Sequence, residues 1–186
     1  MNEMFFDGGH RICVYDDVFT ARFLDGLYSF SLASRFRVGW ADSIVPEKAT
    51  HQYLHSVFSE EDMVNCGLIE ALATSKLAGE IAGHRISKCI LNLVTPSETH
   101  FVHTHPEDKG VLIYVNTDWQ DGFYGETLFF DDTKRNIIFA SLFTPNRAVV
   151  FSGSCPHAIR PQSHLAPAYR FTLTLFFNKE NNNGRI

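Results

Sequence analysis

The stretch YRFTLTLFF, residues 169–177, decides the fold class of this chain. Apolar and polar residues alternate along it with the period of two that a β-strand produces, so one face is apolar and the other carries Arg170, Thr172 and Thr174. A strand at the surface of a protein turns such a polar face to solvent. If both faces are enclosed, as in a barrel, the buried Arg170 needs an anion, and its planar guanidinium suits a carboxylate.

Short runs of similar character precede this strand. From residue 86 onward, β-branched and aromatic residues alternate with clusters of turn residues, which is the pattern of an all-β unit. The predicted strands are 86–94, 99–105, 110–116, 126–131, 136–143, 148–152, 157–160 and 169–178. Such a series of short strands indicates a barrel or jelly roll.

The first 85 residues carry a different pattern. A short strand is predicted at 11–15, followed by a helix that begins near Thr20. Ser59 is a predicted N-cap because acidic residues follow it, and a second helix is expected to run from there to Gly83. We therefore expect one domain over 1–178, with mostly helical support in 1–85 and a β core in 86–178, followed by a polar tail at 179–186.

The composition limits the classes of function. The chain has 186 residues, a net charge of −5, 45% hydrophobic and 13% aromatic residues, which suits one packed core and argues against disorder. An acidic chain without clustered Lys and Arg is not typical of a nucleic-acid-binding protein. No window resembles a signal peptide or a membrane span, so we expect a cytoplasmic protein with a small-molecule or peptide partner. The four scattered cysteines predict reduced thiols.

Two of the nine histidines lie two residues apart. Side chains at i and i+2 of a strand share a face, so His103 and His105 can chelate one metal ion at a strand end. Two exposed histidines are the simpler alternative. His157 follows a turn, begins another predicted strand and is a third candidate ligand. The other histidines have no predicted task and are more typical of surface or capping positions: His10, His51, His55, His84, His100 and His164.

In their order along the chain, these elements resemble the Fe(II)- and 2-oxoglutarate-dependent oxygenase superfamily, in particular its prolyl 4-hydroxylase-like branch. The elements are the His103-Thr104-His105 motif, the strand 112–116 leading to Trp119, the turn Gly125-Glu126-Thr127, His157 and Arg170. The resemblance covers residues 86–177. The segment 12–19 is also similar to the first strand of the family's domain.

The resemblance implies a mainly β protein, a double-stranded β-helix or cupin-like jelly roll, with supporting N-terminal helices. It implies a dioxygenase that hydroxylates an amino-acid, peptidyl or small-metabolite substrate and converts 2-oxoglutarate and dioxygen into succinate and CO2. The Fe(II) positions fall on His103, His105 and His157, and the 2-oxoglutarate position falls on Arg170, helped by Thr172 and Tyr114. No catalytic residue is expected beyond this site.

The motif departs from the family at His105, where the usual facial triad has Asp or Glu. Three neutral imidazoles leave one more positive charge at the metal, which favours an anionic co-substrate but makes oxidation of Fe(II) harder. Glu107 or Asp108 is the alternative carboxylate ligand. Halogenation is not expected, because imidazole fills the position that a halogenase leaves open for halide. Two further functions remain open: a three-His dioxygenase or isomerase that does not use 2-oxoglutarate, and a non-catalytic metal-binding barrel.

Overall fold

The computed structural model describes residues 2–5, 9–39, 54–96 and 101–180. The strands are β1 (Asn2–Phe5), β2 (Arg11–Tyr15), β3 (Arg37–Val38), β4 (Leu54–Val57), β5 (His84–Val94), β6 (Lys109–Tyr114), β7 (Thr127–Phe130), β8 (Ile137–Ser141), β9 (Ala148–Ser152), β10 (His157–Ile159) and β11 (Arg170–Lys179). The helices are α1 (Ala21–Ala33), α2 (Glu60–Asn65), α3 (Leu68–Thr74) and α4 (Ala78–Ile81).

The strands form two antiparallel sheets. In the large sheet the order is β1-β2-β9-β6-β11-β5-β4-β3, and in the small sheet it is β10-β7-β8. His103 pairs with His157 as an isolated bridge, which adds its segment to the edge of the small sheet. The sheets face each other, since the Tyr114 hydroxyl of β6 lies 3.1 Å from Thr127 Oγ1 of β7. This arrangement confirms the predicted double-stranded β-helix.

Strand β11 shows how the alternation sorts side chains between two cores. Its apolar face belongs to a core that it shares with α1, α2 and α3. The opposite face, with Arg170, Thr172 and Thr174, points into the space between the sheets, and all three residues are buried. Both faces of the strand are therefore enclosed, which is the condition under which Arg170 needs an anion.

The first predicted helix forms as one element, whereas the second is divided into three. Helix α1 begins as expected, with Thr20 as N-cap accepting a hydrogen bond from the Phe23 N–H. Ser59 also caps α2, in a capping box with Asp62. The single helix predicted from Ser59 to Gly83 is wrong, because the chain forms three short helices there. Gly67 takes a left-handed conformation with φ of 73° between α2 and α3, and the extended backbone of Ser75 ends α3.

Other differences concern strands. Residues 101–105 of the predicted strand 99–105 make only the isolated bridge at His103, and residues 97–100 lie outside the described residues. Strands β1, β3 and β4 were not predicted; they extend the large sheet from the N-terminal part of the chain. The remaining strand predictions agree to within a few residues. Strand β11 reaches into the predicted polar tail, of which residues 181–186 lie outside the described residues.

Two expectations about the chain as a whole can be compared with the structure. In the described ranges no helix is both long and apolar enough to cross a membrane, and the longest, α1, has 13 residues. All four cysteines are free thiols, as predicted.

Candidate metal centre

The three predicted metal ligands come together at one end of the barrel. His103 and His157 are joined by two backbone hydrogen bonds of 3.0 Å, and the backbone N–H of His105 donates to Gly153 O at 2.8 Å. One ring nitrogen from each of the three histidines lies within 4.8 Å of the other two. That spacing lets three imidazoles bind one metal ion from one side.

Backbone carbonyls orient two of the rings. His103 Nδ1 lies 3.1 Å from Phe101 O, and His157 Nδ1 lies 2.9 Å from Cys155 O. A carbonyl oxygen only accepts, so each Nδ1 carries the proton and each Nε2 keeps its lone pair for a metal. The third ring, His105, packs on Phe176 with 4.1 Å between the ring centroids.

The surroundings of the cluster keep the imidazoles of His105 and His157 neutral. The pKa of His157 is lowered to about 3, mainly by burial and also by the nearby His103, while the hydrogen bond with Cys155 opposes the shift. Burial also lowers the pKa of His105 to about 3, with His157 and Lys88 acting in the same sense. Near neutral pH these rings are unprotonated, which is the form that binds a metal.

Neither alternative carboxylate joins the cluster. The Glu107 carboxylate lies 3.3 Å from Lys88 Nζ, and Asp108 Oδ2 accepts a hydrogen bond from the Lys179 N–H at 2.8 Å. Among the described residues, the group of possible ligand atoms around this point consists of the three histidines. Within the described ranges, the donor set therefore contains three imidazoles and no carboxylate.

A pocket that is partly open to solvent leads from the cluster into the barrel. Its walls are mostly apolar. The lining residues besides the three histidines are Gly39, His55, Ile90, Asn92, Leu112, Thr127, Phe151, Ile159, Thr174 and Phe176.

Arg170 is fully buried beside this pocket. Its Nε and Nη2 both donate to Gly125 O, at 3.0 and 2.7 Å, and its guanidinium carbon lies 4.9 Å from the centre of the Phe143 ring. Burial lowers the pKa of Arg170 to about 10, with Tyr114 and Glu126 opposing the shift, so the group stays charged at neutral pH. In the described part of the chain, Nη1 has no hydrogen-bond partner. Arg170 is not itself among the pocket-lining residues. A buried cation with an unpaired donor is suited to an anionic ligand.

The two predicted helpers of Arg170 lie close to the same pocket. Thr172 Oγ1 is buried and has no hydrogen-bond partner among the described residues. The Tyr114 hydroxyl lies 3.1 Å from both Thr127 Oγ1 and Ser141 O and donates its proton to one of them. Thr172 therefore has its full hydrogen-bonding capacity available for a ligand, whereas Tyr114 is already engaged.

The pocket-lining residues other than the three histidines were not predicted as site residues, and Asn92 and His55 are among the polar ones. Asn92 is a polar residue on the inner face of β5, in an otherwise apolar run, and this interruption was the signal that could have identified it. His55 was expected at a surface or capping position, but it is 9% exposed and lines the pocket. No sequence signal identified His55, because the strand that carries it was not predicted.

The fold is that of the 2-oxoglutarate- and Fe(II)-dependent oxygenases. A prolyl-4-hydroxylase from Pseudomonas putida matches with a TM-score of 0.67 and 15% identity, over 90% of this chain and 92% of its own. An oxidoreductase of the 2OG-Fe(II) oxygenase family from Burkholderia pseudomallei matches with a TM-score of 0.64 and 16% identity, over 97% and 90%. HygX from Streptomyces hygroscopicus, with nickel, 2-oxoglutarate and hygromycin B bound, matches with a TM-score of 0.63 and 9% identity, over 91% and 83%.

The similarity lies in the structure and not in the sequence. No family model matches the sequence, and no curated protein matches it. At these identities the neighbours establish the architecture of the barrel. The chemistry of this chain has to be argued from its own residues.

Proposed function

We propose that this protein is an Fe(II)- and 2-oxoglutarate-dependent oxygenase that hydroxylates an amino-acid, peptidyl or small-metabolite substrate. One observation carries the proposal: a charged, fully buried Arg170 with an unpaired Nη1 lies in the same barrel as three histidines spaced for one metal ion. HygX, which has the same fold, holds nickel and 2-oxoglutarate. That neighbour supports a barrel of this kind as a site for a metal and its co-substrate.

The proposed roles follow from the donor sets. His103, His105 and His157 hold Fe(II), which when bound supplies the activation of dioxygen. Arg170 Nη1 and Thr172 Oγ1 bind the distal carboxylate of 2-oxoglutarate. In the overall reaction 2-oxoglutarate, dioxygen and a substrate C–H give succinate, CO2 and a substrate C–OH.

The remaining residues orient ligands and exclude water. Gly125 O fixes the Arg170 guanidinium through two hydrogen bonds, so little conformational entropy is lost when a carboxylate binds. Phe151, Ile159 and Phe176 give the metal end of the pocket an apolar wall. The Phe143 ring, whose centre lies 4.9 Å from the Arg170 guanidinium carbon, strengthens an ion pair between Arg170 and a carboxylate, because it keeps water from screening the pair.

The test is the visible charge-transfer absorption of the protein mixed anaerobically with Fe(II) and 2-oxoglutarate. We expect the band in the wild type, and an Arg170→Ala variant is expected to bind 2-oxoglutarate roughly a hundredfold or more weakly, because a buried charge pair is lost. Arg160→Ala removes an exposed arginine and serves as the control. A correctly folded wild type without the band would contradict the proposal.

A second function is favoured by the absence of a carboxylate from the described ligand group. A three-His dioxygenase or isomerase would bind its substrate directly to the metal, with Arg170 on the carboxylate of that substrate. Turnover in the absence of 2-oxoglutarate would decide for it. Purified protein that binds no metal after Fe(II) is supplied would favour a non-catalytic barrel instead.

The proposal also covers the domain that carries the reaction, its cellular compartment and its partners. We place it in one domain that spans 1–178 and in the cytoplasm, which the four free cysteines favour. The partners are then a small-molecule or peptide substrate and dioxygen, with neither nucleic acid nor membrane involved.

A further inference from the structure

A row of polar side chains crosses the inner face of the large sheet. The register places His55 of β4 opposite Asn92 of β5, Asn92 opposite Thr172 of β11, and Thr172 opposite Tyr114 of β6. The next row towards the metal contains Ile90, Thr174 and Leu112 and is mostly apolar. The polar row therefore has one end near Arg170, proposed above for the co-substrate, and another end at His55 and Asn92.

His55 is held so that one nitrogen is available to the pocket. Its Nδ1 lies 2.7 Å from Gly39 O. Because a carbonyl only accepts, Nδ1 carries the proton, and in the neutral ring Nε2 is then a hydrogen-bond acceptor. Within the described residues no hydrogen bond reaches this nitrogen, although His55 lines the pocket. An acceptor that faces a pocket and receives no hydrogen bond from the protein is available to a donor of a ligand or of water.

Asn92, opposite His55 on the neighbouring strand, also presents a hydrogen-bond acceptor. Its Nδ2 donates to Thr174 Oγ1 at 3.4 Å, which leaves Oδ1 as an acceptor. In the part of the chain that the structure describes, the side chain of Asn92 makes this one hydrogen bond, and none reaches Oδ1. Two neighbouring strands thus present two acceptors, and the pocket walls next to them, Ile90 and Leu112, are apolar.

We infer that His55 and Asn92 recognise a hydrogen-bond donor of the substrate, a hydroxyl or an amine or amide N–H on an otherwise apolar group. A carboxylate or ketone oxygen fits this wall less well, since it would meet two acceptors and could receive a hydrogen bond only from the second N–H of Asn92 Nδ2. The inference rests on the proposed function, in which 2-oxoglutarate binds at Arg170. The wall formed by His55 and Asn92 is then left for the substrate. It adds His55 and Asn92 to the site as substrate-binding residues.

The test uses matched pairs of small probes in the Zn(II) and 2-oxoglutarate complex of the protein and in the metal-free protein. Benzamide and acetophenone differ by an amide donor in place of a methyl group, and benzyl alcohol and ethylbenzene differ by a hydroxyl. We expect each donor probe to bind about three- to tenfold more tightly than its partner, the range of a single hydrogen bond. Benzamide is also expected to shift the 15N resonance of His55 Nε2, a measurement that needs no variant.

His55→Asn keeps an amide donor that can reach Gly39 O but removes the Nε2 acceptor, so the preference for donor probes should disappear. His84→Asn is the matched control, because His84 also places Nδ1 near a carbonyl, that of Ala82, but is not among the pocket residues described above. Equal binding within each pair, no binding of any probe, or a preference that survives in His55→Asn would overturn the inference.

Calorimetric binding of 2-oxoglutarate in the presence of Zn(II) is measured on the same samples. Loss of 2-oxoglutarate binding with a retained donor preference would contradict the proposed function alone. Retained 2-oxoglutarate binding without the preference would contradict only the role of His55 and Asn92.

Discussion

At the scale of single residues, Arg170 depends on a glycine for its position. Gly125 accepts both hydrogen bonds from the guanidinium, and its backbone has φ of 81°, the left-handed region that favours glycine. A Cβ at Gly125 would lie 3.0 Å from Arg170 Nε and 3.3 Å from Trp119 Cζ2. Any larger residue therefore displaces the group that we propose for 2-oxoglutarate.

Gly125→Ala is expected to weaken 2-oxoglutarate binding by roughly tenfold, which corresponds to about 1.4 kcal/mol. Gly122→Ala is the matched control, because Gly122 has nearly the same φ of 84° but a Cβ there meets nothing within 4 Å. Both variants introduce similar backbone strain, so their difference isolates the contact with Arg170. The measurement is the dissociation constant from titration calorimetry, and equal constants for the two variants would contradict the expectation.

His105 is the residue at which this chain departs from the usual facial triad. If it is a ligand, His105→Asp should retain Fe(II), because a carboxylate oxygen replaces the nitrogen and adds a negative charge. His105→Ala should lose roughly a hundredfold or more in metal affinity, because nothing replaces the nitrogen. Metal content and binding calorimetry distinguish the two, with His84→Ala as control. Wild-type affinity in His105→Ala would exclude His105 from the coordination sphere.

At the scale of elements, the turn before β10 packs tightly on the segment that follows His105. Gly153 N donates to Asp108 O, and Gly153 O accepts from the His105 N–H. A Cβ at Gly153 would lie 1.9 Å from Glu107 O, a backbone atom that a side-chain rotation cannot move away. The close approach holds His105 and His157 at their mutual distance.

Gly153→Ala should therefore lower the free energy of unfolding by about 3 kcal/mol, because the two backbones must separate. Metal affinity should fall with it. Gly79→Ala in α4 is the control: its Cβ meets nothing within 4 Å, and alanine is the better helix former, so the change should be within about 1 kcal/mol of zero or stabilising. Urea unfolding measures both variants, and similar midpoints would argue against the tight contact.

The elements also show which patterns can be predicted. Strands β2 and β9 were found with the expected bounds because their apolar runs are flanked by turn residues. Strands β3 and β4 have two and four residues, too few to establish an alternation. The apolar positions from Ser59 to Gly83 fit a helical period. The spacing of apolar residues does not show that Gly67 takes a positive φ, which interrupts the helix there.

At the scale of the whole molecule, a half-buried ionic network ties a helix to the large sheet. Both Arg11 Nη groups donate to the Glu80 carboxylate at 2.7 Å, and the Tyr15 hydroxyl donates to it at 2.6 Å. Lys109 Nζ donates to the Glu80 carbonyl oxygen. Through these contacts α4 is fastened to β2 and β6. The hydrogen bond from Arg11 is the largest cause that lowers the pKa of Glu80, to about 2.

Because the pKa of Glu80 is lowered in the folded chain, we expect the free energy of unfolding to fall as the pH falls. The carboxyl group binds its proton more weakly in the folded chain than in the unfolded chain, so its stabilising contribution is complete above about pH 4.5 and is lost as the pH falls towards 2. After allowance for solvent screening, we expect this contribution to be about 1–3 kcal/mol. The difference in unfolding free energy between wild type and Glu80→Gln should therefore shrink between pH 5 and pH 2.5. A difference that does not change with pH would contradict the role of the Glu80 charge.

The sequence by itself determined the local properties of this protein. Period-two alternation placed Arg170, Thr172 and Thr174 on one face of a strand, and the spacing of His103 and His105 put them side by side. These properties depend only on neighbours along the chain, which is why they could be predicted.

Only the tertiary structure decided which faces are enclosed and which residues meet. The small sheet and its loops cover the polar face of β11, so Arg170 became a buried cation with an unpaired donor. Packing also brought His55 into the pocket and held Glu107 on Lys88, away from the histidines. Such contacts join residues far apart in the chain, and they are set by which apolar surfaces bury each other, so no local pattern encodes them.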